Sequence, residues 1–440
     1  MENVLFEKSP VYKAYLKLAM PVVLSMVVSL IYNMADTYFI SRTGSTSLVA
    51  GVSLVTPVFT FMIAVGDIFG LGGSSVISRL FGKKEYATGK RLSVFCFYAA
   101  FLCGILIAVM MLIFREPILH LLGTDRNTME FASSYYLFIV LGAPFIIVSY
   151  TPANLLRTEG YAKASMAGTV LGAVVNILLD PLLIFTFGLG SAGAAIATVI
   201  GNICTDLYFV WFLMTKSKLL SVVPMGIPIS IKEMGQILAI GIPASITNLM
   251  QSIGIAMTNR YLLPYGNDKV AAMGIALKVN MIAVLILVGF AFGGQPLIGY
   301  NYGSRNRSRL KQILKFAYGL ECGIALLLSL MIGYTAPKLV AFFMHDTKIV
   351  TAGASMLRLQ VGSMVFVGIV LVTTCIFQSM GKALGAFVLS ACRQGAVLAV
   401  ILVIFSRVMG YQGVICAQPI SDCLTALLAG SLLIGTIRRE

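Results

Sequence analysis

Apolar residues in this chain come in long runs, not in the alternation of a strand or the one-sided stripe of a soluble helix, and polar residues mark the gaps between them. A hydrocarbon core about 30 Å thick needs roughly 20 such residues per helix. Twelve runs qualify, near 16–40, 48–70, 92–114, 131–154, 164–187, 191–214, 237–261, 270–298, 312–334, 351–377, 383–405 and 412–436. They predict an all-α, polytopic membrane protein with twelve transmembrane helices in two pseudo-symmetric six-helix lobes. The expected division is a first lobe at 1–215, a cytoplasmic linker at 216–232 and a second lobe at 233–440. No run of residues is left over for a soluble domain.

The two halves are related. Residues Phe69 to Gly82 align without a gap, at an offset of 221, with Phe290 to Gly303. Each copy is dense in glycine, ends an apolar run and precedes a basic cluster. Pro21 faces Pro243 at offset 222, while Asp125 faces Asp346 and Gly160 faces Gly381 at 221. One ancestral half was duplicated, a plan that recurs in secondary transporters whose two bundles work about a central site.

Composition agrees with the pattern: 58% hydrophobic, 11% charged and a mean hydropathy of +0.93 exclude a soluble domain of this length. The net charge of +15 raises nucleic acid as a partner, but its distribution argues against it. With the N-terminus placed inside, 21 of the 32 basic residues fall in inner loops and tails, 9 fall outside, and Lys278 and Arg393 lie within helices. That bias follows the positive-inside rule and predicts that both termini are cytoplasmic. The first apolar run is too long for a cleaved signal and is expected to stay as helix 1. All eight cysteines fall in predicted helices without Cys-x-x-Cys spacing, which reads as reduced packing residues. His120 and His345 sit in outer loops with no ligand spacing, so no metal centre is expected. No cofactor is expected either, and no nucleophile paired with a base is legible in the loops, so the chain does not read as an enzyme. The glycine-rich passages lack the preceding strand of a phosphate loop; their small residues suit close helix packing or a bend at the cytoplasmic side.

Acidic residues within the spans carry the chemistry, because an ionised carboxylate in a bilayer faces a cavity, finds a partner or takes a proton. Six qualify: Asp36, Asp67, Asp180, Asp206, Glu321 and Asp422. At 1.5 Å per residue, Asp36 lies about 30 Å from the inner start of its helix and Asp180 about 26 Å from Lys163, which puts both in the outer part of the first half. Asn176 is one turn inward of Asp180 on the same face, and Thr198 descends from the outside to a similar level. Pro181 is expected to kink the helix beside Asp180 and free the carbonyl of Ile177. Two carboxylates, an amide oxygen and a hydroxyl suit a small hard cation; a structural hydrogen-bond cluster is the alternative. The second half has Thr258 opposite Asp36 and Ile401 opposite Asp180, so coupling is expected in the first lobe. Asp67, Asp206 and Asp422 read as solvated or helix-locking groups. Glu321, Lys278 and Arg393 read as a polar network in which opposite charges neutralise one another.

The repeated glycine passage, Asn33-Met34-Ala35-Asp36-Thr37, Asn154-Leu155-Leu156-Arg157-Thr158-Glu159-Gly160, Gly299-Tyr300-Asn301-Tyr302-Gly303 and Gln418-Pro419-Ile420-Ser421-Asp422 together resemble the multidrug and toxic compound extrusion (MATE) transporters. The resemblance spans about residues 12–437. It implies two lobes that open alternately inward and outward and export amphipathic organic cations in exchange for Na+ or H+. It also places Asp36, Asn176, Asp180 and Thr198 on the cation-binding positions of the DinF-like branch. Asn33, Asn154, Gln251, Lys278 and Arg393 are candidates for the substrate path or its gating. The implied partners are small amphipathic or cationic substrates and the lipid bilayer, for a monomer in the inner membrane of a prokaryote. The alternative within the same superfamily is a flippase for lipid-linked precursors, which needs a positive cavity. A channel is a further alternative and needs a continuous polar pore.

Overall fold

The computed structural model describes residues 4–224, 229–344 and 346–439; the outer-loop position expected for His345 lies outside them. No strand occurs among the described residues. The long helices are α1 Val11–Ser41, α2 Thr46–Gly82, α3 Tyr86–Ile113, α4 Met129–Leu141 with Ala143–Thr158, α5 Ala162–Thr186, α6 Gly190–Thr215, α7 Ile231–Leu262, α8 Asn267–Gly303, α9 Arg307–Phe343, α10 Thr347–Gly362 with Met364–Met380, α11 Ala383–Met409 and α12 Tyr411–Arg439. Nine of these are long and apolar enough to cross a bilayer as single spans, and α4 and α10 do so as pairs bent by 52° and 43°. The remaining helix, α7, has 32 residues, enough to cross at about 1.5 Å each. Its lower apolar content comes from polar residues such as Gln251 and Asn259.

The duplication is written into the backbone at the same offset of 221. The breaks in α4 and α10 fall at Gly142 and Ser363. Asp125 Oδ1 accepts from the N–H of Asn127 and Thr128 at 3.1 and 2.8 Å; Asp346 Oδ1 accepts from Lys348 and Ile349 at 2.8 and 3.4 Å. Asp346 thereby caps the first donors of its helix, whereas Asp125 holds the turn just before Met129. Gly160 and Gly381, just past the ends of α4 and α10, have φ of +93° and +79°. Only glycine takes that left-handed conformation without a steric cost. Lys84 and Arg305, which follow α2 and α8, share a left-handed φ of 64° and 56°.

The chain forms two compact units. One runs from Leu24 to Ile242, and the other joins the residues before it to those after it. The units divide inside α1 and α7, close to the helix-interior Pro21 and Pro243, and not in the linker at 216–232. Local bonding explains why the linker stays with the first unit. Ser93 Oγ donates to the Ser221 carbonyl and accepts from the Ser221 N–H, both at 3.0 Å. Glu159 accepts from the Ser217 hydroxyl at 2.5 Å and from the N–H of Lys218 and Leu219 at 2.8 and 3.2 Å. Arg91 forms an ion pair with Glu233 at the start of α7.

The glycine passages explain the packing within each unit. In the first, a Cβ on Gly72 would land on the carbonyl oxygen of Ile237, and one on Gly241 on that of Ile68. In the second, a Cβ on Gly293 would land on Ala19 Cα, and one on Gly289 would lie 2.8 Å from Val23 Cα. Each passage thus seats the N-terminal part of a long helix by removing side chains from the contact. Gly72→Ala and Gly293→Ala are each expected to cost about 1–3 kcal/mol through overpacking. A lowered melting temperature would report it; melting at the wild-type temperature would mean that the helices separate freely at these points.

Candidate ion-binding site in the first unit

Asp180 and Asn176 are both buried on α5, at 0% and 2% exposure. Their spacing of four stacks them on one face. Helices α5 and α6 come close because Gly172 and Gly201 meet, where a Cβ on either would lie 2.7 Å from the other's carbonyl oxygen. That approach carries Thr198, also buried, against Asn176, whose Nδ2 donates to Thr198 Oγ1 at 3.2 Å. Asn176 Oδ1 is left without a protein partner, as are both oxygens of Asp180 and the Oδ1 of the half-buried Asp36 on α1. Asp180 lies within electrostatic reach of Asp36. The structure therefore brings all four expected residues into one region, with acceptor oxygens in excess of donors.

Beside Pro181 the helix changes pitch. The span continues to Thr186 by widening into a π-helical turn at Leu182–Thr186, closed by Phe187 N–H on Leu182 O at 3.0 Å. Proline has no N–H to offer Ile177, and the N–H of Leu182 bonds to Leu179 O. The missing donor is absorbed by a change of helical pitch, a common device beside functional groups.

Two tyrosines join the site that were not singled out from the sequence. Tyr32, four residues before Asp36 on α1, lies close to the Thr198 side chain and feels the charges of Asp36 and Asp180. Tyr135 on α4 is buried and feels the same two carboxyls. The available signal for Tyr32 is its spacing of four from Asp36; nothing local marks Tyr135.

A family model, MatE, matches residues 21–182 and again 243–405, once in each half. The chain belongs to the MatE family. The multidrug export protein MepA of Staphylococcus saprophyticus is 31% identical over 424 residues, covering 96% of this chain and 94% of that protein. MepA of Staphylococcus aureus is 33% identical over 427 residues, covering 96% and 94%. Among solved structures, MATE in complex with MaD3S has a TM-score of 0.93 at 26% identity, covering all of both chains. A MOP superfamily transporter from Pyrococcus furiosus has a TM-score of 0.92 at 27% identity, covering 100% of this chain and 98% of that one.

Other polar groups of this MatE chain lie apart from the site. In the first unit, Arg157 Nη2 donates to Asn154 Oδ1 at 2.7 Å, Asn154 Nδ2 donates to Tyr150 O at 2.8 Å, and Asp67 feels the Arg157 charge. Asn33 is exposed and donates to Ser29 O at 2.7 Å. Asp206 is buried with neither oxygen partnered. In the second unit, Thr258 Oγ1 bonds back to Gly254 O at 2.9 Å, and Ile401 joins an apolar core, so the positions opposite Asp36 and Asp180 hold no carboxylate. Gln251 is exposed.

The network expected of Glu321, Lys278 and Arg393 does not form. Arg393 Nε instead pairs with Asp422 Oδ1 at 2.9 Å, and Asp422 also accepts from Gln418 Nε2 at 3.0 Å and Ser363 Oγ at 2.9 Å. The cause is the contact between α11 and α12: Arg393 lies in a π-helical turn, Cys392–Ala396, whose Arg393 carbonyl accepts from Ser421 Oγ at 2.9 Å. Lys278 is exposed, and Glu321 is enclosed with both oxygens unpartnered.

Proposed function

We propose that this protein is a secondary antiporter that exports amphipathic, mostly cationic small molecules in exchange for Na+ or H+, with both termini cytoplasmic in a prokaryotic inner membrane. The observation that carries the coupling is the set of unpartnered oxygens on Asp36, Asn176 and Asp180, beside the Asn176–Thr198 hydrogen bond. Such a group is left costly in a low-dielectric interior until a cation or proton satisfies it. Binding therefore favours whichever conformation keeps the oxygens together, and substrate competes by favouring the other; each shifts the equilibrium by its difference in affinity for the two states. Relatives named as multidrug export proteins support the substrate class. The flippase reading needs a free positive cavity for a pyrophosphate, whereas the charge of Arg393 is matched by Asp422.

Efflux of a cationic dye from inverted vesicles, with sodium and proton gradients imposed one at a time, tests the reading. Dye accumulation is expected under one of the two gradients and its collapse with the matching ionophore. Accumulation under neither gradient, from protein shown to be folded, would remove the antiport reading.

A further inference from the structure

Glu321 sits at the centre of α9 with 0% exposure, and neither carboxyl oxygen has a protein partner. The donors on the surrounding elements are committed elsewhere. Tyr15 OH on α1 donates to Phe290 O at 3.0 Å, Tyr318 OH on α9 pairs with Thr373 Oγ1 on α10 at 2.7 Å, and Cys375 Sγ on α10 donates to Ala291 O on α8 at 3.1 Å. Tyr15 and Cys322 are the titratable groups that feel its charge, and no cation pairs with it among the described residues. An ionised carboxylate so placed would have neither water nor a counter-charge, and taking up a proton is the less costly state, so the side chain is held as the neutral acid.

The enclosure is built from α10, which is broken, and from α1, which is continuous but carries an interior proline. On α10, a Cβ at Gly368 would lie 3.0 Å from Glu321 Cγ, so the missing side chain is what leaves room for the acid. Gly368 stands five residues beyond the 43° break at Ser363. On α1, Tyr15 stands six residues before Pro21, in the part of that helix that belongs to this unit. A change at the α10 break would slide that wall away from the carboxyl, admit water and let it ionise.

We infer that Glu321 is a proton-binding site of the second unit, loaded while α10 and the inner part of α1 close over it and emptied to water when they part. The step is the loss of H+ from the carboxylic acid to water, leaving the carboxylate, and its reversal on closure. The inference rests on the antiport reading for its role in transport, and it adds a proton to whatever ion the first unit takes.

Two measurements on the purified full-length protein test it. An infrared spectrum at neutral pH is expected to contain the carbonyl band of a protonated carboxylic acid that disappears in Glu321→Gln; this reading needs no transport. Release of protons on binding a cationic dye, followed with an indicator in weakly buffered solution, is expected to fall by one per protein in Glu321→Gln. It should fall by the same amount when that change is added to Asp36→Asn with Asp180→Asn. If Glu321→Gln does not fold, Glu321→Met, apolar and of similar length, carries both tests. An unchanged proton count in the folded variant would overturn the inference, as would an unchanged carbonyl band. Dye efflux absent from wild type with the band present would instead sink the antiport reading.

Discussion

Asp36→Asn and Asp180→Asn are each expected to abolish gradient-driven export while leaving expression and folding close to wild type. An amide matches the carboxyl in shape but cannot carry the exchanged charge, and Asp180 already lacks any protein partner to lose. A tenfold ion gradient is worth about 1.4 kcal/mol per ion, so losing the coupling lowers the attainable substrate gradient about tenfold for each ion exchanged. Dye binding without a gradient should persist, because the substrate needs neither carboxylate to enter. The effect should exceed that of Glu321→Gln, since the first unit brings two carboxyls, an amide and the Thr198 hydroxyl into one region, whereas Glu321 has no partner. Vesicles carrying either aspartate variant and accumulating dye to the wild-type level would refute the assignment of the coupling site. Accumulation lost in Glu321→Gln but kept in Asp36→Asn would move the site to the second unit.

The largest stability effect is expected at Asp422. Asp422→Ala leaves the Arg393 guanidinium, at 13% side-chain exposure, without its counter-charge, and removes the acceptor of Gln418 Nε2, while the Ser363 hydroxyl keeps Gln360 O at 3.0 Å. Breaking a buried pair by removing one partner costs about 3–5 kcal/mol, whereas replacing both by apolar side chains of similar volume is often close to neutral. The expected result is a strongly lowered melting temperature for Asp422→Ala and substantial recovery in Asp422→Leu with Arg393→Met. Cys96 and Cys375 are buried, so a thiol-reactive dye that gains access to them reports unfolding. Wild-type melting of Asp422→Ala would mean that the arginine reaches the headgroup region and was never confined.

Much of the first unit's site is legible before any coordinates, and the reason is that its features are local. Asn176 and Asp180 stack by helical periodicity, Pro181 marks the perturbed turn, and depth along α1 puts Asp36 at a matching level. Tyr135 was not legible because only the packing of α4 against other helices of its unit carries it to the carboxyls. The error over Glu321, Lys278 and Arg393 has the same source. All three lie within spans, and charge sign alone cannot say which faces of α8, α9 and α11 meet.

The apolar runs, the duplication and the family resemblance are all legible in the sequence alone. Each follows from transfer of residues out of water or from identity along the chain, and neither depends on how helices are turned. Tertiary structure alone decided that Arg393 belongs to Asp422, that Glu321 has no partner, and that α1 and α7 each divide between the compact units near a proline. Helices that are apolar on every side carry no stripe to fix their rotation, so contacts between them are set by glycine gaps and interlocking side chains brought together from distant parts of the chain.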